Sequence, residues 1–325
     1  MKNPLVLLTN PLPNEWIAVL EDRARLVVGM EGVSGFGPEL LEYLPEAEGI
    51  LTLLTARVDK TILDLAPKLR VVSNMAVGVD NIDIPACTKR SIPVGHTPGV
   101  LTDATADLTM AILLSAARRL PESARDAREG RWGTWSPTGW LGADLRGATL
   151  GIVGMGKIGC AVAERAHGFG LRLVYADPAQ HPEMDAAFGA ERIPFDELLQ
   201  RSDFVSLHCP LNASTRGLIN KSALQMMKPN AILINAARGP VVDSAALVQA
   251  LTQDWIKAAA LDVTDPEPLP ASHPLYGLKN CLIVPHIGSA TIGARRRMAE
   301  IAYENLLAGL AGECLPHCFN PEVYK

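Results

Sequence analysis

Three stretches of the chain place an ionisable side chain just after a short aliphatic run: NAARG (235–239), DVTDPEP (262–268) and PHIGS (285–289). Parallel strands of α/β folds open their carboxyl ends onto a ligand crevice, so Arg238, Glu267 and His286 are expected at three adjacent strand ends. An imidazole can hold a proton near neutral pH and deliver it to a nascent alkoxide. A carboxylate partner stabilises the imidazolium and fixes its tautomer. A guanidinium binds a substrate carboxylate through paired hydrogen bonds and polarises the neighbouring carbonyl. Singly, each residue has an ordinary reading as a surface arginine, a solvated glutamate or a turn histidine. Together, behind a dinucleotide fold, they point to hydride transfer to or from the carbon beside a carboxylate.

The dinucleotide signal lies upstream. The run Thr149–Val153 leads directly into Gly154-x-Gly156-x-x-Gly159 and then a helical stretch, and Asp177 ends the next strand, 18 residues after Gly159. Gly154 permits the tight turn, Gly156 lets the backbone approach a pyrophosphate, and Gly159 lets the helix sit close to the strand. The amides of Lys157 and Ile158, at the positive end of the helix dipole, would meet the phosphates. A carboxylate at Asp177 can take both ribose hydroxyls and repels a 2′-phosphate, and Pro178, Ala179 and Gln180 after it bring no arginine. NAD(H) is therefore expected as the preferred coenzyme, with NADP(H) secondary.

These residues need a scaffold of alternating strands and helices, which the chain supplies nearly end to end. Strand-like runs at 5–8, 25–28, 50–54, 69–72 and 92–95 form a first cluster; runs at 149–153, 171–175, 203–207, 231–235, 258–262 and 281–284 form a second. Helical patterns cover 38–47, 161–167, 195–200, 244–251 and 289–312. A longer one, 103–128, is apolar on nearly every face in its first half and so is expected to be buried all round. The segment 130–142 holds three of the five tryptophans (Trp132, Trp135, Trp140) and no evident secondary structure. The expected fold is α/β with two doubly wound parallel-sheet domains: a Rossmann dinucleotide-binding domain, 101–287, inserted into a flavodoxin-like substrate domain, 1–100 and 288–325.

With 325 residues, 48% apolar, and 35 acidic against 30 basic side chains, the composition suits about two ordinary globular domains. Scattered basic residues and a net charge of −5 argue against a nucleic-acid platform, the triplet Arg295–Arg297 reading as one turn of a helix face. No apolar run reaches the ~18–20 residues of a membrane span, and the start is too short in apolar residues for a secretion signal. A cytoplasmic location with six reduced cysteines is the expectation. Cys314, His317 and Cys318 lack a fourth ligand, so no metal is expected.

The segments VGVDNID (77–83), GMGKIG (154–159), HCPLNAST (208–215), NAARG, LDVTDPEP (261–268) and PHIGSAT (285–291) resemble the D-isomer-specific 2-hydroxyacid dehydrogenase family. Among its members the chain is most similar to glyoxylate/hydroxypyruvate reductases, through LLTARVDK (53–60), RRLP (118–121) and VTDPEPLP (263–270). The resemblance implies that His286 is the acid/base, Glu267 its partner and Arg238 the substrate anchor. The amides of Val77 and Gly78 would hold the substrate carboxylate, with Leu54 and Ser289 also at the substrate. It places Thr105, Gly288 and Asp262 at the nicotinamide, with Asp262 on its carboxamide, and Pro210 at the adenine. Cys209, Thr215 and Ala236 complete the implied coenzyme contacts, together with Arg238 and His286. It further implies two domains closing over a cleft and a homodimer joined through the cofactor domains, the tryptophan segment reaching the partner's cleft or filling the dimer contact. Asp177 departs from the arginine that many NADPH-using reductases carry, Asp107 stands where glutamate is usual, and Val77 replaces the lysine of phosphite dehydrogenases. The activity implied is reduction of glyoxylate or hydroxypyruvate to the D-hydroxy acid. The alternatives are another D-2-hydroxyacid dehydrogenase, of D-3-phosphoglycerate, D-lactate or 2-ketogluconate type, or an NADH-sensing binding protein resembling the family's corepressors.

Overall fold

Aliphatic runs separated by helices build two parallel sheets. The computed structural model describes residues 3–325, and the chain forms two units, Met1–Leu101 with Thr291–Lys325, and Thr102–Ala290.

The first unit runs β1 (Leu5–Leu8), α1 (Asn14–Glu21), β2 (Arg25–Val28), α2 (Pro38–Leu41), β3 (Gly49–Thr52), α3 (Lys60–Leu65), β4 (Val71–Asn74), α4 (Ile84–Lys89) and β5 (Val94–Gly95). Its strands are parallel in the order β2-β1-β3-β4-β5, a flavodoxin-like winding. β1, β3 and β4 are buried along their whole length, which is why they read as continuous rather than alternating apolar runs. Asp59 and Asp83 accept the first free amides of α3 and α4. The helix expected over 38–47 is split into α2 and a 3₁₀ turn at Leu44–Glu46, since Pro45 offers no amide to continue it. The C-terminal helix (Ile292–Ala311) completes this core, with Met298, Ala302 and Leu306 packed among Val6, Leu8, Leu51 and Val71. Ser73 donates to the Ala302 carbonyl at 2.7 Å, and a Cβ on Gly309 would come within 2.5 Å of Val71, so the helix lies directly on β4. The arginine triplet is on its exposed side, where Arg296 and Arg297 pair with Glu300 and Arg297 also with Glu304.

The second unit comprises α5 (Thr102–Ala117), α6 (Leu120–Arg128), β6 (Thr149–Val153), α7 (Lys157–Gly168), β7 (Arg172–Ala176), α8 (Pro182–Phe188), β8 (Glu191–Arg192), α9 (Phe195–Arg201), β9 (Phe204–Leu207), α10 (Lys221–Met226), β10 (Ile232–Asn235), α11 (Ser244–Thr252), β11 (Ala258–Leu261) and β12 (Cys281–Ile283). The order β12-β11-β10-β9-β6-β7-β8 is a Rossmann winding that reverses between β6 and β9, where such sheets bind their ligands. The six expected strands are present, and β8 is a seventh, only two residues long and without an apolar run to announce it.

The single helix expected over 103–128 is two helices. Pro121 sits in the first turn of α6, and Arg119 before it takes a left-handed conformation with φ 53°. Nor is α5 buried all round: Asp103, Asp107 and Ala111 form an exposed stripe, and both aspartates pair with Arg165 on α7. Residues 130–142 have no regular structure; the Trp140 indole donates to Asp126 at 3.0 Å, while Trp132 and Trp135 are 65% and 80% exposed. Among the described residues no helix is long and apolar enough to cross a membrane.

Candidate active site

The turn between β6 and α7 is shaped by its glycines. Gly154 has φ 92°, and a Cβ there would lie 2.6 Å from the Cys209 nitrogen, so only glycine lets this turn lie against the chain leaving β9. A Cβ on Gly159 would collide with the Gly154 carbonyl, whereas Gly156 faces open space. Gly156 is the N-cap of α7 and offers no side-chain cap, so the first-turn amides that include Lys157 and Ile158 carry the positive end of the helix dipole uncapped. An open cradle in front of bare amides fits a pyrophosphate.

Asp177, just past β7, receives the Met155 amide on Oδ2 and the Ala179 amide on Oδ1, both at 2.8 Å. Each oxygen keeps a lone pair for a ribose hydroxyl. Asp177 shares a cavity of about 710 Å³ with Gly154, Cys209, Pro210 and Thr215. Thr215 ties that rim together, its hydroxyl donating to the Pro210 carbonyl at 2.6 Å and accepting the Asn212 amide at 2.9 Å. The three residues after Asp177 bring no arginine, but one reaches it from across the sheet. β8 pairs with β7 in the register Tyr175↔Arg192, and the Arg192 guanidinium donates to the carbonyls of Asp177 and Pro178, each at 2.9 Å. Next to Cys209, His208 closes β9 with Nε2 2.8 Å from the Ser206 hydroxyl and Nδ1 enclosed without a partner; burial pushes this imidazole down to about 4.

At the other strand ends, Glu267 Oε1 lies 2.5 Å from His286 Nδ1, while Glu267 Oε2 accepts the Thr264 amide at 3.3 Å. The imidazole tautomer follows from this: Nδ1–H is given to the carboxylate, and Nε2 is the nitrogen left to exchange a proton. Arg238 follows β10 on a loop pinned by buried Asn235, whose side chain accepts the Ala237 amide and donates to the Arg238 carbonyl, both at 3.0 Å. Gly239 lies so close to the Thr264 carbonyl that no Cβ would fit, which seats the Arg238 loop against the Glu267 loop. Ala236 is half-buried at the start of that loop.

His286 itself has φ 51°, a left-handed conformation uncommon outside glycine. Asp262 holds it there. Its main-chain carbonyl accepts the His286 amide at 2.9 Å, its Oδ1 the Ile287 amide at 2.6 Å and its Oδ2 the Gly288 amide at 2.9 Å. Burial holds the Asp262 carboxyl above the ordinary carboxylate range, against the pull of those amides. A Cβ on Gly288 would come within 3.0 Å of Asp262 Oδ2 and 3.4 Å of Thr105, so Thr105, Asp262 and Gly288 are mutual neighbours. Ser289 is half-buried on the same turn.

The remaining residues belong to the first unit. Val77 and Gly78 lie on the loop after β4 and Leu54 on the loop after β3, all half-buried. Two asparagines join these loops: Asn74 donates to the Gly78 carbonyl at 2.9 Å and to Asn81 at 3.1 Å, and Asn81 donates to the carbonyls of Leu53 and Ala56 at 3.1 and 2.9 Å. His96 Nδ1 meets the Val77 carbonyl at 3.0 Å. Sequence reasoning missed Asn74, Asn81, Asn235, Thr264 and Arg192. An asparagine ending a strand that is otherwise aliphatic, as at 235, was the one local signal, since a buried amide must find partners.

A family model described as the NAD-binding domain of D-isomer specific 2-hydroxyacid dehydrogenase matches residues 110–288. The glyoxylate reductase of Thermococcus litoralis is 46% identical over 324 residues, covering 98% of this chain and 98% of that relative. That of Korarchaeum cryptofilum is 44% identical over 323 residues, covering 99% and 97%. Among solved structures, the TT0316 protein of Thermus thermophilus superposes with a TM-score of 0.90 at 47% identity over 97% of this chain and 99% of that one. The NADPH-dependent glyoxylate/hydroxypyruvate reductase of Sinorhizobium meliloti, solved with NADP and malonate, gives 0.86 at 28% identity over 99% and 98%. The chain belongs to the D-isomer specific 2-hydroxyacid dehydrogenase family and is a nicotinamide-dependent oxidoreductase.

Proposed function

We propose that this chain reduces short 2-keto acids, glyoxylate or hydroxypyruvate first among them, to the D-2-hydroxy acid, using NADH in preference to NADPH. The observation that carries this is the 2.5 Å contact of Glu267 with His286 at the end of a coenzyme-binding sheet. The names of the relatives, glyoxylate reductases at 44–46% identity over nearly the whole chain, support the substrate class. The amide-held carboxylate of Asp177 supports NADH.

In this mechanism the coenzyme, when bound, supplies the hydride. Gly154, Gly156 and Gly159 let the backbone close on the pyrophosphate, with Lys157 and Ile158 amides against it. Asp177 takes the ribose hydroxyls, Cys209, Pro210 and Thr215 border the adenine side, and Thr105, Ala236, Asp262 and Gly288 serve the nicotinamide end. Arg238 and the amides of Val77 and Gly78 bind the substrate carboxylate, with Leu54 and Ser289 beside it. His286 gives its Nε2 proton to the oxygen that becomes the hydroxyl, and Glu267, acting through Nδ1, stabilises the imidazolium that precedes that step. Only short acids are expected to fit. The substrate domain is assigned to 1–100 and 288–325 and the coenzyme domain to 101–287. A homodimer through the coenzyme domains is supported by the exposure of Trp132, Trp135 and Leu141 (65, 80 and 64%). A cytoplasmic location is supported by six unpaired cysteines.

The test is NADH oxidation with glyoxylate, hydroxypyruvate, pyruvate and 3-phosphohydroxypyruvate supplied separately. Glyoxylate or hydroxypyruvate should give the highest kcat/KM. No turnover with any of the four would refute the assignment.

A further inference from the structure

The cavity beside Asp177 contains a cation that is not among the residues directly after Asp177 but comes from the neighbouring strand. Because β8 runs alongside β7 with Tyr175 opposite Arg192, the Arg192 side chain emerges beside the turn that leaves β7. It is anchored there: Nε donates to the Asp177 carbonyl and Nη2 to the Pro178 carbonyl, each at 2.9 Å. A guanidinium has five N–H groups, so this anchoring leaves three, including both on Nη1. Arg192 lines the same cavity as Asp177, Pro178 and Gln180. The carboxylate opposite is itself tempered, each oxygen already accepting one backbone amide at 2.8 Å. The wall that meets the ribose thus combines one anion with one fixed cation, rather than an anion alone.

We propose that Arg192 is a coenzyme-discriminating residue that receives the 2′-phosphate of NADP(H), so that the chain accepts NADP(H) as a second coenzyme in spite of Asp177. This rests on the assignment of the Asp177 cavity to the adenosine ribose. A carboxylate alone would repel a 2′-phosphate. A guanidinium whose plane is already set by two carbonyls offers it charge-assisted hydrogen bonds at little further ordering cost. With NAD(H) the same group meets only neutral hydroxyls. Its effect must therefore differ between the two coenzymes, whereas an arginine that only holds the turn would affect both alike.

The experiment compares kcat/KM for NADPH and NADH, at saturating keto acid, in the wild-type chain, Arg192→Gln and Arg192→Lys. In Arg192→Gln the NADPH:NADH ratio is expected to fall about ten- to hundredfold, the range for losing a hydrogen bond to a charged group. Arg192→Lys keeps the charge and should restore part of the ratio. Raising the ionic strength should lower the wild-type ratio, since the contact is partly solvent-exposed. A ratio within about threefold of wild type in Arg192→Gln, or a wild type that does not turn over NADPH, overturns the proposal. Binding of both coenzymes is read independently by nicotinamide fluorescence. If neither binds, the adenosine-site assignment falls and Arg192 with it; if the wild type prefers NADPH but Arg192→Gln loses that preference, only the NADH preference falls.

Discussion

Replacing Asp262 by asparagine is expected to loosen the turn that presents His286. Asp262 is 2% exposed, and its two carboxylate oxygens take the Ile287 and Gly288 amides at 2.6 and 2.9 Å. Asparagine preserves the shape but has one acceptor oxygen, so its NH₂ must face one of two buried amides, donor against donor. Losing a hydrogen bond to a charged group costs about 1.5–3 kcal/mol. Removing a carboxylate that burial disfavours returns part of this, which sets the expected loss at about 2 kcal/mol. In a unit of this size each kcal/mol moves the unfolding midpoint by about 2–4 °C, so a fall of about 4–8 °C is expected. His286 sits at φ 51°. A left-handed non-glycine residue costs about 1–2 kcal/mol, and a turn held about 2 kcal/mol less firmly can relax out of it. At 1.4 kcal/mol per tenfold, the productive His286 geometry becomes about ten- to thirtyfold rarer, and kcat at saturating coenzyme and keto acid should fall by that factor. Steady-state kinetics with a coenzyme titration separates this from a role on the nicotinamide alone, which would raise the coenzyme KM and leave kcat in place. An unchanged unfolding midpoint together with kcat within threefold of wild type would refute the clamp.

Other perturbations read different parts of the molecule. His286→Ala should lower kcat by about 10²–10⁴ at nearly constant KM, because proton donation acts in the transition state, whereas Arg238→Ala should raise the keto-acid KM and lower kcat together; a loss under tenfold in His286→Ala contradicts the acid/base role. Burial pushes His208 down to about 4. Between an unfolded value of about 6.5 and that point, the unfolded chain takes up a proton that the native chain refuses, so stability drops as pH falls, by at most about 3 kcal/mol near pH 4. Urea unfolding at pH 7 and 4.5 should show a smaller pH dependence in His208→Gln, and equal slopes would dismiss the effect. Burial also raises the Cys87 and Cys281 thiols to about 12 and Cys209 to about 11, while Cys314 is exposed. Iodoacetamide at pH 8, followed by peptide mass mapping, should label Cys314 first and the other three only on unfolding, since only about one Cys209 in a thousand is thiolate at that pH. Early labelling of Cys209 would contradict its burial.

What was legible in the sequence and what was not divides along a physical line. The glycine turn could be read because its requirements are local: φ 92° at Gly154, and no room for a Cβ at Gly159, are demands that two nearby positions must meet themselves. Arg238, Glu267 and His286 could be read because parallel strands send their ends to one side, so position after a strand implies position in space. Where a helix pattern continued through Pro121 and Pro45, periodicity outweighed a missing amide and two helices were read as longer than they are. The contacts that hold the active groups in place were hidden for a different reason. Asp262 meets Ile287, Asn74 meets Asn81 and Gly78, and Arg192 meets Asp177 through partners fixed by tertiary pairing, and nothing in their own neighbourhood announces it. Arg192 is the sharpest case, because a two-residue strand leaves no hydrophobic pattern from which its register against β7 could be inferred. Coenzyme preference read forward along the chain from Asp177 therefore counts only the charges on one strand. The field in the Asp177 cavity is the sum over two strands, and the second one contributes the opposite sign.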